Sequence, residues 1–329
     1  MSGVLDNLDV PIVQAPLAGG ASTPELAVAV SGAGGLGFLA AGYKTADAVE
    51  QAMDSIGGVP YGVNVFAPGP GPADPETVHR YADRLRAEGH EPGEARHDDD
   101  HWDDKLALLL ARPPAVVSFT FGCPEESVVT ALREAGSEVW ITVTGPEEAR
   151  LGQWAGATAL VAQGIEAGGH RGSFADRGDL GLLALLALLG GPDAALPLVA
   201  AGGIATAPTV AAVVAAGAAA AQVGTAFMRC PEAGTSEPHR EALAGPGLTS
   251  VTRAFSGRSA RGIENEFLRE HPDAPEAYPE VHHLTTPIRA AGRDRGDAEV
   301  LNLWAGQAHE LARAIPAADL VAELAAGVP

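Results

Sequence analysis

The sequence predicts an α/β protein: a TIM-type (β/α)8 barrel carrying a smaller, mainly helical segment that would shape a substrate site. Three observations predict it. Eight short apolar runs alternate with helix-length segments up to about residue 228, as consecutive βα units require. The runs are continuously apolar rather than alternating, which suits parallel strands covered on both faces. Beyond Pro231 charged and turn residues increase, and the strands with glycine tips stop. An open doubly wound sheet is the competing architecture, and the strand count disfavours it.

Taken in order, strands are expected at Ile12–Pro16, Gly37–Ala40, Gly62–Phe66, Ala115–Phe119, Glu138–Val143, Ala159–Gln163, Leu198–Ala201 and Ala221–Gly224. The first helix is marked by Ser22-Thr23-Pro24-Glu25, a cap followed by a first-turn proline and acid, and Gly32 and Gly34 stop it. Another opens at Thr206-Ala207-Pro208 and runs to Ala216. Ser236–Ala244, Gly262–Glu270 and Ala298–Ala314 also read as helical. The expected division is a barrel over 1–229, a helical segment over 230–299 covering one barrel end, and helices over 300–329 returning to the barrel wall. Glu88–Asp104 holds His90, His97 and His101 among acids, but its irregular spacing reads as a solvated loop rather than a metal tract.

The formal charge of −21 argues against nucleic acid and anionic membranes as partners. The first residues show no signal-peptide pattern, and the most apolar run, Leu180–Leu189, is about half a membrane span. A cytoplasmic protein is expected, and an oligomer is compatible with the sequence. Cys123 and Cys230 lack metal spacing and do not form a disulfide framework. The two lysines, Lys44 and Lys105, stand at no predicted C-terminal strand end, which argues against a Schiff-base enzyme.

Ligands bind barrels of this kind at the C-terminal strand ends, and here those ends are rich in glycine. The sixth strand runs into Gln163-Gly164-Ile165-Glu166-Ala167-Gly168-Gly169-His170, a bare backbone beside an acid/base group. The seventh ends in Gly202-Gly203 and the eighth in Gln222-Val223-Gly224-Thr225. Free N–H groups on these last two strands form a phosphate cradle. Asn64 on the third strand can donate and accept at once, and the first strand ends in Gln14-Ala15-Pro16 with Gly19-Gly20. Amides, bare backbone and a phosphate cradle suit flavin mononucleotide (FMN). By contrast, Gly32-Ala33-Gly34-Gly35-Leu36-Gly37 matches a dinucleotide fingerprint by letter only, because it follows a helix and opens a strand.

These runs, together with Gly62-Val63-Asn64, Val117 to Gly122, Ser256 to Gly262 and Leu303-Trp304-Ala305-Gly306-Gln307, resemble the nitronate monooxygenase family. The resemblance implies FMN contacts at Asn64, Gln163, Gly168, Gly203 and Gln222 through Thr225, with Ala15, Pro16, Gly169 and Gly202 completing the set. It implies His170 as catalytic base, a nitronate or nitroalkane and O2 as substrates, and a carbonyl compound and nitrite as products. An FMN-dependent NAD(P)H reductase, acting on a quinone or an enoyl thioester, is the alternative on the same barrel. Gln163 and nearby N–H groups are expected to serve as neutral donors to the flavin. Tyr278, His282 and His283 are candidates for the pocket lining. Leu17 and Thr158 depart from the usual Met and Asp of the family, and Thr158 is expected to remove a carboxylate from near the flavin.

Overall fold

A computed structural model of the chain describes residues 3–190 and 195–328. Eight parallel strands form one sheet: β1 (Ile12–Gln14), β2 (Gly37–Ala40), β3 (Tyr61–Phe66), β4 (Val116–Thr120), β5 (Glu138–Val143), β6 (Ala159–Gln163), β8 (Leu198–Ala201) and β9 (Ala220–Val223). Between β6 and β8 lies a two-residue strand, β7 (Gly169–His170), which belongs to a second sheet. The barrel order is β1-β9-β8-β6-β5-β4-β3-β2. It closes through a parallel bridge between Val13 and Leu36, where Gln14 N donates to Leu36 O at 2.8 Å and Leu36 N to Ile12 O at 3.0 Å. Closure removes the exposed strand edges of an open sheet.

Helices α1 (Pro24–Gly32), α2 (Ala46–Asp54), α3 (Pro75–Ala87), α4 (Trp102–Ala111), α5 (Glu126–Ala135), α6 (Pro146–Trp154), α7 (Leu182–Leu189) and α8 (Ala207–Ala215) connect the strands. Sequence signals place their starts well. The Thr23 hydroxyl accepts from Leu26 N at the head of α1, and Thr206 and Thr209 form a capping box on α8. The Gly32–Gly37 run serves packing. A Cβ at Gly37 would lie 2.2 Å from Ala27 O, and one at Gly35 2.6 Å from Ile12 O. Glycine there lets α1 press against the start of β2.

The segment beyond residue 230, expected to be mainly helical, also contains strands. It begins with α9 (Glu237–Ala244), then forms a hairpin of β10 (Thr249–Thr252) and β11 (Ala260–Ile263). The helix expected over Gly262–Glu270 is therefore strand β11 followed by the short α10 (Glu266–Glu270). β11 also pairs antiparallel with β7, matching Ala260 with His170 and Arg261 with Gly169. Helix α11 (Glu280–Arg295) follows, with Pro287 inside it. The helix expected over Ala298–Ala314 is instead two short 3-10 turns joined by extended chain. That chain laces the hairpin to the β6–β7 turn: Ala305 N donates to Arg261 O at 3.2 Å and Gln307 N to Glu166 O at 3.0 Å. Serving two partners on different elements is incompatible with helical self-pairing. Only α12 (Ala317–Ala325) returns to the barrel wall, packing on α1 and α8.

No helix among the described residues is long and apolar enough to cross a membrane. The Glu88–Asp104 stretch is largely exposed, yet it is tied down. Gly93 N donates to Leu284 O at 2.8 Å, Asp98 pairs with His283 at 2.8 Å, and Asp100 pairs with the buried Lys105 at 2.7 Å.

Candidate active site

A cavity of about 450 Å³ opens at the C-terminal ends of the barrel strands, within the size range of cofactor clefts, roughly 300–1,000 Å³. Strand parity decides who faces it. Asn64, Thr120, Thr142, Val161, Gln163, Ala201 and Gln222 line it, each projecting from the inner face of its strand. Ala15, Pro16, Gly168, Gly169, His170, Gly202, Gly203, Gly224 and Thr225 join them from the strand tips. Every expected contact residue thus comes to one place except Val223. Its side chain alternates outward into the core and is 1% exposed.

The cradle at the last two strands is built from backbone. β8 and β9 are neighbours, with Ala201 opposite Gln222. Gly202 and Gly203 adopt φ of +119° and +68°, the left-handed region where glycine is favoured. The N–H groups of Gly202, Gly203, Gly224 and Thr225 have no backbone acceptor among the described residues. Thr225 Oγ1 accepts from Gly306 N at 3.0 Å, so the tail closes the cradle's rim. A Cβ at Gly168 would lie 2.4 Å from Gly306 N, so glycine is needed where the tail passes this turn.

The amides divide their work. Asn64 Nδ2 donates to Ser118 Oγ at 2.9 Å and to Thr120 Oγ1 at 3.0 Å, which leaves Oδ1 as an acceptor. Gln163 braces the next turn: Nε2 donates to His170 O at 3.1 Å, and Oε1 accepts from Gly172 N at 2.8 Å. Its first role is therefore to hold the histidine strand, beyond the flavin-donor role expected from sequence.

His170 is held on several sides. Its backbone pairs with Ala260 in β11, and Nε2 lies 2.8 Å from Ser256 Oγ. Its ring centroid is 5.4 Å from Trp304, 5.7 Å from Phe121 and 6.1 Å from Tyr278. Burial, aided by the Arg258 and Arg289 charges, pushes its pKa down to about 3, so the imidazole is neutral at working pH. The Arg258 guanidinium lies 4.2 Å above the Phe121 ring centroid.

Of the three lining candidates, His282 faces the cavity and stacks on Tyr43 at 4.0 Å. Tyr278 packs against His170, with its hydroxyl 3.3 Å from that of Tyr43. His283 is turned away to Asp98. Ser256, Phe121, Trp304, Tyr43, His239 and Arg289 also belong to the site and were not singled out from sequence. Ser256, Phe121 and Trp304 sit in the runs that carried the family resemblance, which was the available signal. The other three are placed by long-range packing. Thr158 lies at the opposite end of β6 from Gln163, and its hydroxyl bonds Val139 O at 3.0 Å. Five residues of strand, roughly 15 Å, separate it from Gln163, with Val161 between them lining the cavity.

Comparison with known proteins accords with this geometry. A family profile described as nitronate monooxygenase matches residues 4–327. The nitronate monooxygenase of Pseudomonas aeruginosa is 43% identical over 335 residues, covering 95% of both chains. That of Paraburkholderia phytofirmans is 40% identical, covering 96% of this chain and 92% of its own. Among solved structures, a nitroalkane oxidase from Streptomyces ansochromogenes superposes with a TM-score of 0.94 at 50% identity, covering 99% of this chain and 97% of that one. FabK from Thermotoga maritima gives 0.72 at 26% identity, covering 97% and 93%. The chain belongs to the nitronate monooxygenase family, a family of flavin-dependent oxidoreductases.

Proposed function

We propose that this protein is an FMN-dependent enzyme that oxidises alkyl nitronates and nitroalkanes with O2, releasing a carbonyl compound and nitrite. The observation that carries the proposal is a neutral, half-buried histidine held at the edge of a cavity whose far wall is backbone N–H without a backbone acceptor among the described residues. The residues present fit FMN. The N–H groups of Gly202, Gly203, Gly224 and Thr225 would hold its phosphate without a counter-charge. Asn64 Oδ1 and the Gln222 side chain, which is bonded to no described residue, would meet the ring's polar edge. FMN, when bound, would take the substrate's electrons and pass them to O2.

The protein's own part is proton transfer and charge placement. The single hydroxyl hydrogen of Ser256 lies within reach of Arg258 O, 3.1 Å away. When it bonds that carbonyl, His170 Nε2–H donates to Ser256 Oγ, and Nδ1 carries the lone pair. A nitroalkane would give its α-proton to that nitrogen, and the C–H electron pair would move onto the nitro group. Arg258 and Arg289, which make His170 a weaker base when the site is empty, favour the anion formed. The new imidazolium and nitronate then stabilise each other in a site of low dielectric. Segment 230–299 supplies Phe255, Ser256, His282 and Arg289 to the cavity, and we assign it the role of substrate cover. Both cysteines are free, in keeping with a cytoplasmic enzyme.

The test is an absorbance spectrum of the purified protein followed by oxygen uptake with a panel of nitronates. A flavin spectrum with nitronate-dependent uptake is expected. Flavin that stays inert to nitronates and bleaches rapidly with anaerobic NADH or NADPH would overturn the proposal in favour of a reductase.

A further inference from the structure

His282 and His170 line one cavity, and they are near enough for the charge of one to bear on the other. Aromatic rings join them. Tyr278 lies edge-on to His170 at 6.1 Å, its hydroxyl is 3.3 Å from that of Tyr43, and the Tyr43 ring stacks on His282 at 4.0 Å with 3° between the planes.

The surroundings of His282 fix its tautomer. Its Nδ1 lies 3.3 Å from Arg289 Nη2. A guanidinium only donates, so a hydrogen on Nδ1 would face no acceptor, and the neutral ring carries its hydrogen on Nε2. Burial, aided by the Arg289 charge, lowers the pKa of this imidazole to about 2, so the neutral form is the one present. Arg289 is itself fixed. Its Nη2 also donates to His282 O at 3.0 Å and Thr286 Oγ1 at 2.9 Å, and its Nε to Thr285 Oγ1 at 3.2 Å.

The hydrogen on Nε2 is free. Tyr43 covers a face of the ring, His283 stands edge-on to it at 5.3 Å, and Arg289 closes the Nδ1 side. Nε2 bonds no described residue, yet it is not among the buried polar atoms without a partner. It therefore keeps accessible surface, and the opening that His282 lines is the main cavity. A cation at Nδ1 polarises the ring and strengthens the donor on its other side.

We propose that His282 donates its Nε2–H to an oxygen of the substrate's nitro group and so directs the α-carbon toward His170. The assignment rests on the nitroalkane reading above. When His170 takes the α-proton, the C–H electron pair moves onto the nitro oxygens, and a donor fixed in advance stabilises that charge. No proton leaves His282. The two histidines take opposite roles because their partners differ: Ser256 can accept from His170, whereas Arg289 can only donate to His282.

The experiment uses the FMN-loaded protein with 15N-labelled histidine, and nitrite, an anion with two oxygens and no proton to lose, as the probe. Nuclear magnetic resonance should show the His282 proton on Nε2 and a saturable shift of that N–H as nitrite is added. His282→Phe keeps a ring against Tyr43 and lacks the donor. It should lower kcat/KM by about 10²-fold or more for a nitroalkane and its nitronate alike, since both present the same oxygens, whereas loss of a base spares the nitronate. His282→Gln, whose amide can accept from Arg289 and donate to substrate, should recover most of the loss. A proton on Nδ1, an N–H unmoved by nitrite, unchanged kinetics in His282→Phe, or a glutamine variant no better than phenylalanine would overturn the assignment. A wild-type protein inert to nitronates would instead sink the proposed function. The tautomer and the nitrite titration would still decide the donor role, as they would if a variant failed to fold.

Discussion

At the level of single residues, the site turns on His170, and its environment defines what it can do. A desolvated imidazole with a pKa near 3 is uncharged throughout the physiological range, so it is always in the form that accepts a proton. General bases typically contribute about 10²–10⁴-fold. His170→Asn, a near-isostere without a basic nitrogen, is expected to lower turnover of neutral nitroalkanes by that order. Nitronates have already lost the proton, so their turnover should fall far less. Steady-state kinetics on a matched nitroalkane and nitronate pair measures the difference. Equal loss on both would mean that His170 only positions or polarises the substrate. Gln163 shows a different lesson. Its amide is committed to His170 O and Gly172 N, so a residue read as a flavin donor first braces the strand that carries His170.

Among the elements, the most instructive is the glycine run between α1 and β2. Its letters match a nucleotide fingerprint, yet packing requires some of its glycines and not others. Gly37 is held against Ala27 backbone, whereas a Cβ at Gly32 would meet nothing within 4 Å. Gly37→Ala should destabilise by about 1–3 kcal/mol, the usual cost of overpacking. Gly32→Ala, at the end of a helix, should be neutral or stabilise by up to about 1 kcal/mol. Urea unfolding of the two variants checks this, and a similar cost at both sites would contradict the packing account. The β10–β11 hairpin matters equally. By adding β7 to a sheet of its own, it converts a loop histidine into a strand histidine with a defined direction.

The molecule as a whole carries three half-buried neutral histidines in or beside the cavity. Burial lowers His170 to about 3, His239 to about 4 and His282 to about 2. Each folded value lies below the unfolded one of about 6.5. Between the two, the unfolded chain binds protons that the folded chain refuses. The stabilisation is complete above about pH 6.5 and falls as pH drops, by at most about 1.4 kcal/mol per histidine per unit. Denaturant unfolding should therefore show a marked loss of stability from pH 7 to pH 5. His239 bonds Trp304 O at 3.0 Å, a contact that a glutamine amide can reproduce. His239→Gln should remove up to about 2 kcal/mol of that loss, and an unchanged pH dependence would refute the assignment.

Much of this was legible along the chain, and the reason is local. Strand runs, helix caps and glycine tips depend on neighbours within a few residues, so the eight barrel strands and the residues that line the cavity at their ends could be read directly. The strand bounds shift by a residue or two, as at Tyr61–Phe66 and Ala220–Val223, because hydrogen bonding rather than composition ends a strand. The hairpin, the laced tail and the partners of His170 could not be read in this way. Ser256 lies 86 positions from His170, and the pairing of Ala260 with His170 spans a similar distance. Composition near Gly262 favours no strand until a partner edge is present. The chain's local chemistry thus names a barrel with a histidine and glycine-rich strand ends at its mouth. The histidine's charge state and its hydrogen-bond partner arise from burial and long-range pairing, which exist only once the fold has closed.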